Sequence, residues 1–189
     1  MLLRTDERGV LAIGQQSHAW ICGQLARAWG NEAFGAFAPY EEVCLGAEQH
    51  DIGMAAWDLA PTRNPASGLP YSFVEMPLDL HMELWSAGPA LLLSQSRYAA
   101  LLASIHGSRL YGLRDLDSTP EPDAGKIRSF LHRAREFQDE LLRSLFGQVD
   151  AGRDAVARNK SSLPPLKWWY SAPRVTPARW TISSVPTPE

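Results

Sequence analysis

Four histidines and one aspartate carry the chemistry that this chain suggests. His18, His50, His81 and His106 each fall on the apolar stripe of a separate segment with helical spacing, and Asp51 follows His50 directly in "AEQHDIGMAAWD". Neutral imidazole is the commonest protein ligand for a metal ion, and a carboxylate supplies the negative charge that a dication requires. A histidine that faces a core must have its ring nitrogens satisfied, and a single one usually bonds a backbone carbonyl. Four of them, on helices that must pack together, would point into one place, which favours a shared ion. Asp51 alone reads as a helix-end cap. Beside the histidines it reads as a ligand whose two oxygens could bridge two metals about 3.5–4 Å apart. Neighbours on an ideal helix point about 100° apart, so His50 and Asp51 reach one ion only where the helix ends or bends. Gly53 stands where such a helix would stop. The fifth histidine, His132, sits among Arg128, Arg133 and Arg135 and reads as a solvated surface residue.

The elements that must position these residues follow from periodicity. "LLRTDERGVLAIGQ" predicts two short strands around a polar "DERG" turn. "SHAWICGQLARAWG" predicts a helix with His18, Ile21, Leu25, Ala28 and Trp29 on one stripe and Ser17 as its cap. A second helix, "YEEVCLGAEQHDIG", runs Val43, Ala47 and His50 down one face. "WDLAPTRNPASGLPYSFVEMP" is a long loop, and its Trp57, Tyr71 and Phe73 favour an ordered loop packed over something. A third helix carries Leu78, His81, Leu84, Trp85 and Gly88, with Pro89 expected to kink or split it. A fourth, "SRYAALLASIHGSRLYG", groups Ala99, Leu102, Ile105, His106, Arg109 and Leu110. A fifth, strongly amphipathic, turns Ile127, Phe130, Ala134, Phe137, Leu141 and Leu145 inward. After about residue 160 prolines recur every few residues and no period survives.

Composition sets the outer bounds. The 189 residues suit one domain, and 45% hydrophobic content is enough for a core. A net charge of -3 gives no field that would draw nucleic acid or an anionic membrane. "MLLRTDERGV" lacks the apolar stretch of a secretory signal, and no apolar run approaches the ~18–20 residues of a bilayer span. Cys22 and Cys44 are too few for a disulfide framework or a cysteine zinc site. A cytoplasmic protein with two reduced thiols is expected.

The order His18, His50-Asp51, His81, His106 resembles the HD superfamily of metal-dependent phosphohydrolases, and most closely its branch with extra histidines and two metals. From "GQQSHAWICGQLARAWG" through "AEQHDIGMAAWDLAP" and "PYSFVEMPLDLH" to "ALLASIHGSRLYG", roughly residues 3–160, the chain resembles the bacterial domain-of-unknown-function family 3891. The match is most specific in "HDIG" and "SIHGSRLY". This implies an all-α, HD-domain-like helical bundle with a short N-terminal β-hairpin over 1–160, and an irregular Pro/Trp-rich C-terminal tail over 161–189. His18 then matches the first helix histidine, His50 and Asp51 the doublet, and His81 and His106 the two later histidines of the binuclear branch. One departure matters. The family places a further aspartate in a Trp-Asp segment near the C-terminus, but here the segment reads "PPLKWWYSAP". Asp139 lies off the apolar face of its helix, and Asp150 and Asp154 are nearer the right place. The first metal is thereby left a ligand short.

The expected function is a metal-dependent, phosphohydrolase-like enzyme. One or two divalent ions, of Mn, Fe, Zn, Co or Ni, would be held by the helix histidines and Asp51. A small phosphorylated substrate is expected, with no nucleic acid and no membrane as partner. Arg109, one turn beyond His106, could grip a phosphate through two oxygens, or instead pair with Glu48 or Asp51. Arg63 is a further candidate. Trp57, Tyr71 and Phe73 could form an apolar lid, and Gln15 and Gln49 could hold the ligands from behind. Two rivals remain open: a di-iron oxygenase on the same scaffold, and a non-catalytic helical module with an incomplete metal site, which the missing aspartate favours. The sequence sets neither substrate nor oligomeric state.

Overall fold

The structure is a computed structural model that describes residues 1–30, 32 and 35–162, of which 155 and 157–162 are described by backbone only. Strands β1 (Leu2–Asp6) and β2 (Gly9–Ile13) form an antiparallel hairpin in the register Leu2 to Ile13 and Asp6 to Gly9. Its turn holds because the Asp6 carboxylate accepts from the Arg8 backbone N–H at 2.8 Å, and Gly9 takes φ 130°. Seven helices follow among the described residues: α1 (Gln15–Arg27), α2 (Tyr40–Gln49), α3 (Ala55–Leu59), α4 (Leu78–Leu91), α5 (Arg97–Gly112), α6 (Asp123–Phe146) and α7 (Val149–Ser162). A single 3-10 turn, Ile52–Met54, links α2 to α3. The expected all-α architecture with an N-terminal hairpin is what the described residues show. No helix among them is long and apolar enough to cross a membrane.

α1 and α2 run antiparallel. Gln16 bonds Gln49 at one end of the pair, and Arg27 pairs with Glu41 at 3.0 Å at the other. α2 packs on α5, α5 on α4 and α6, and α6 on α7. One core cluster gathers Val43, Cys44, Leu92, Leu101, Leu102 and Leu142; a second gathers Met54, Trp57, Met82, Trp85, Tyr111 and Ile127. The site lies where these clusters meet α1.

Several expectations need correcting. α1 begins at Gln15 rather than after Ser17, and the carboxylate of Asp58 on α3 accepts from the Gln16 backbone N–H at 3.2 Å. A remote acid thus satisfies a helix-start donor that a local serine was expected to cap. Pro89 neither splits nor ends α4, which continues to Leu91, although its ring nitrogen gives the Trp85 carbonyl no helical donor. α2 stops at Gln49, before Gly53. Gly53 serves close approach instead: a Cβ there would lie 2.1 Å from the Leu84 carbonyl oxygen and 3.0 Å from the Gly88 Cα on α4. Leu145 on α6 is 36% exposed, whereas Leu142 is buried. The reason is α7, which sequence reading did not anticipate and which sets Gly152 against Leu142 and Phe146. The stripe of α1 is not core either, since Ile21 and Leu25 are 50% and 63% exposed. The expected tail overlaps α7 at 161–162; the rest of it lies outside the described residues.

Candidate metal centre

The centre is built at the end of α2. His50 is the residue that caps the helix, and Asp51 departs from it with φ -102° and ψ 16°. That break lets two sequence neighbours turn to the same side. His50 Nδ1 lies 2.8 Å from the Ala47 carbonyl oxygen. A carbonyl only accepts, so Nδ1 carries the hydrogen and donates it. Nε2, the lone-pair nitrogen of the neutral ring, then faces Asp51 Oδ2 at 3.3 Å. Two acceptors cannot bond one another, so a cation must stand between them: a proton or a metal ion. A ring anchored through its other N–H to a backbone carbonyl is also the usual support of a metal-bound histidine. Asp51 Oδ2 accepts from Gln15 Nε2 at 3.3 Å, while Oδ1 is buried with no hydrogen-bond donor among the described residues. That orphaned oxygen is what an ion would satisfy.

His106, on α5, brings its ring centroid 4.8 Å from that of His50, and His18, on α1, approaches from the other side at 5.4 Å. Two ligand groups result, His50–Asp51–His106 and His18–Cys22–His50, each with its donor atoms within 4.8 Å of one another. Ligands bound at 2.0–2.2 Å sit no more than about 4.4 Å apart, so a slight inward turn of the rings closes either group on an ion. His50 has one available nitrogen and belongs to both, so one ion at a time can use it. Cys22 was not expected here. Its Sγ lies 3.7 Å from His18 Nε2, and its place one turn after His18 was the signal in the sequence.

The electrostatics suit binding. Burial pulls the His50 ring toward the neutral form, but the charge and hydrogen bond of Asp51, with the Ala47 carbonyl, raise its pKa above the ordinary value. Burial likewise pushes the Asp51 carboxyl up, yet His50, backed by His106 and His18, holds it below the usual range. Burial and then the neighbouring His50 lower His18, and the same causes take His106 to about 3. Without a metal, a proton thus fills the gap between His50 and Asp51, while His18 and His106 stay neutral and able to ligate.

His81 is set apart from the two ligand groups. Trp85 Nε1 donates to His81 Nε2 at 2.7 Å, so Nδ1 carries the hydrogen and pairs with the Tyr111 hydroxyl at 2.7 Å. Both nitrogens are occupied, and neither ligand group includes the ring. Burial, then Arg114, lowers its pKa to about 4. Arg109 is exposed on α5 and does not line the cavity at the centre. Glu48 pairs with Arg27 instead. Arg63 is exposed and bridges to Pro70 in the loop. Asp139 pairs with Arg153, and Asp150 and Asp154 are exposed on α7 and join neither group. "PPLKWWYSAP" lies outside the described residues. Gln15 does hold Asp51, whereas Gln49 accepts from Gln16. Trp57, Tyr71 and Phe73 pack into the second core cluster, and Phe73 also lines the cavity.

That cavity, of about 670 Å³, opens beside the centre and is lined by Gln15, His18, Cys22, His50, Asp51 and His106 together with apolar side chains of α1, α2 and α5. No curated protein and no solved structure matches the chain. The family described as Protein of unknown function (DUF3891) matches it over residues 1–169, and the chain belongs to that family.

Proposed function

We propose that the protein is a metal-dependent hydrolase of phosphoesters, with one divalent ion held by His50, Asp51 and His106 and with His18 at its open side. The observation that carries this reading is the facing of His50 Nε2 and Asp51 Oδ2 at 3.3 Å, with Asp51 Oδ1 left over. The order of these residues along the chain, similar to that in HD phosphohydrolases, supports the same reading. A divalent ion at this point would acidify a bound water toward a pKa of about 7 and offset charge on the phosphoryl oxygens. Hydrolysis forms a bond from the water oxygen to phosphorus and breaks the bond from phosphorus to the ester oxygen. One water proton ends on the leaving alcohol and the other on the phosphate. The chain's own part is orientation. The Ala47 carbonyl fixes the His50 ring, Gln15 fixes Asp51, and the half-buried, neutral His18 is able to hold a proton in transit.

The test is elemental analysis of the purified protein, paired with phosphate release from phosphomonoesters before and after chelation. About one equivalent of Mn, Fe, Zn, Co or Ni is expected, together with activity that chelation removes and the metal restores. A protein that holds no metal, and whose melting temperature neither chelator nor added metal moves, overturns the reading. Bound iron whose near-ultraviolet absorption responds to oxygen, without phosphate release, would replace it with the oxygenase.

A further inference from the structure

The cavity's walls differ in kind from its centre. Its polar side chains are those of the candidate centre, and no lysine or arginine lines it among the described residues. A polyphosphate brings several charges that one ion cannot offset, and burying them without cations is strongly unfavourable. The remaining lining is apolar, with Leu25 from α1 and Trp29 just past its end, Phe37 and Val43 around the start of α2, and Leu102 from α5. Because α1 and α2 run antiparallel, His18 and His50 meet at one end of the pair, and these apolar side chains extend toward the other. From His18 to Ala26 the wall of α1 advances eight residues, about 12 Å at 1.5 Å per residue, and Trp29 extends it past the helix end. Leu25 stays 63% exposed along it. An apolar surface left open beside a polar centre is the form of a binding site rather than of a core.

From this we infer that the substrate is a phosphate monoester of a long apolar alcohol, one anionic head on an extended alkyl body, and not a nucleotide or polyphosphate. The inference rests on the hydrolase reading for its head group and on the cavity walls for its body. The head sits at His50, Asp51 and His106, and the chain lies along the α1–α2 wall.

The experiment uses the full-length protein with its metal and a series of alkyl phosphates from ethyl to decyl, with adenosine triphosphate and inorganic triphosphate beside them. Phosphate release gives KM, and calorimetry gives binding. KM should fall about three- to fourfold for each methylene added until the wall is filled, with neither triphosphate consumed. Leu25→Glu should flatten that dependence, with Ala28→Glu as a second exposed probe and Leu25→Met retaining it. A KM indifferent to chain length in the wild type, as when another segment of this chain or a second copy fills the cavity, overturns the inference. So does equal use of a triphosphate, and in that case the hydrolase reading stands. If calorimetry shows the length dependence but no metal supports phosphate release, the hydrolase reading falls and the apolar site stands.

Discussion

His50 and His81 are buried to nearly the same degree, 4% and 6% exposed, yet their rings meet opposite surroundings. His81 finds a donor for one nitrogen in Trp85 and a hydroxyl for the other in Tyr111. Its neighbourhood is complete with a neutral ring and nothing else. His50 finds a carbonyl for one nitrogen and a carboxylate oxygen for the other, so its neighbourhood is complete only with an added cation. The difference shows that burial does not distinguish the two rings. The chemistry of the atom that the second nitrogen faces does so.

Substitutions sharpen the contrast or break it. The largest effect is expected from His50→Ala or Asp51→Ala, measured by metal content and chemical denaturation. Each should abolish metal binding, and removing one member of the buried pair should destabilise the metal-free protein by about 3–5 kcal/mol. Next comes His81→Gln, which strands the Trp85 N–H or the Tyr111 hydroxyl. A loss of about 2–3 kcal/mol is expected, with metal content unchanged. Metal lost in His81→Gln, with the fold intact by circular dichroism, would abolish the distinction between the two sites.

The same variant carries a pH signature. His81 titrates at about 4 when folded against 6.5 unfolded, so between those values the unfolded chain binds more protons. Its contribution to stability is complete above pH 6.5 and declines as pH falls toward 4. In denaturation midpoints across that window, His81→Gln should show a shallower acid loss than wild type. Gln15→Leu tests support of Asp51 without touching a ligand, and metal affinity measured by competition with a chelator should fall about 10–100-fold. The smallest effect is assigned to Tyr111→Phe, about 1 kcal/mol in thermal or chemical unfolding, with metal affinity as in wild type.

The sequence made much of this legible, and its limits have physical causes. The hairpin was legible because "DERG" between alternating strands demands a tight turn, and α1, α2, α4, α5 and α6 because apolar residues recur at helical spacing. The period places residues on a face but does not say what covers the face. The stripe of α1 was therefore read as core when it borders a cavity. His50 and His81 were indistinguishable because the atom that separates them, the Tyr111 hydroxyl, comes from another helix thirty residues later. α7 was missed because "VDAGRDAVARNKSS" has few apolar residues to mark a period. The convergence of His50 and Asp51 was foreseen, although its means was a helix that ends at Gln49 rather than a glycine cap.

The meeting of Gly53 and Gly88 sets main chain on main chain, with the Gly53 N and Gly88 Cα separated by no side chain. Side chains at a contact can rotate and absorb a displacement; two peptide planes in touch have no such slack. The turn that carries Asp51 and the helix that carries His81 and Trp85 are therefore fixed like two parts of one casting. Bulk added at Gly53 would meet the Leu84 carbonyl, and bulk added at Gly88 would meet the Gly53 nitrogen, so either would press on the short turn that begins with the Asp51 carboxylate.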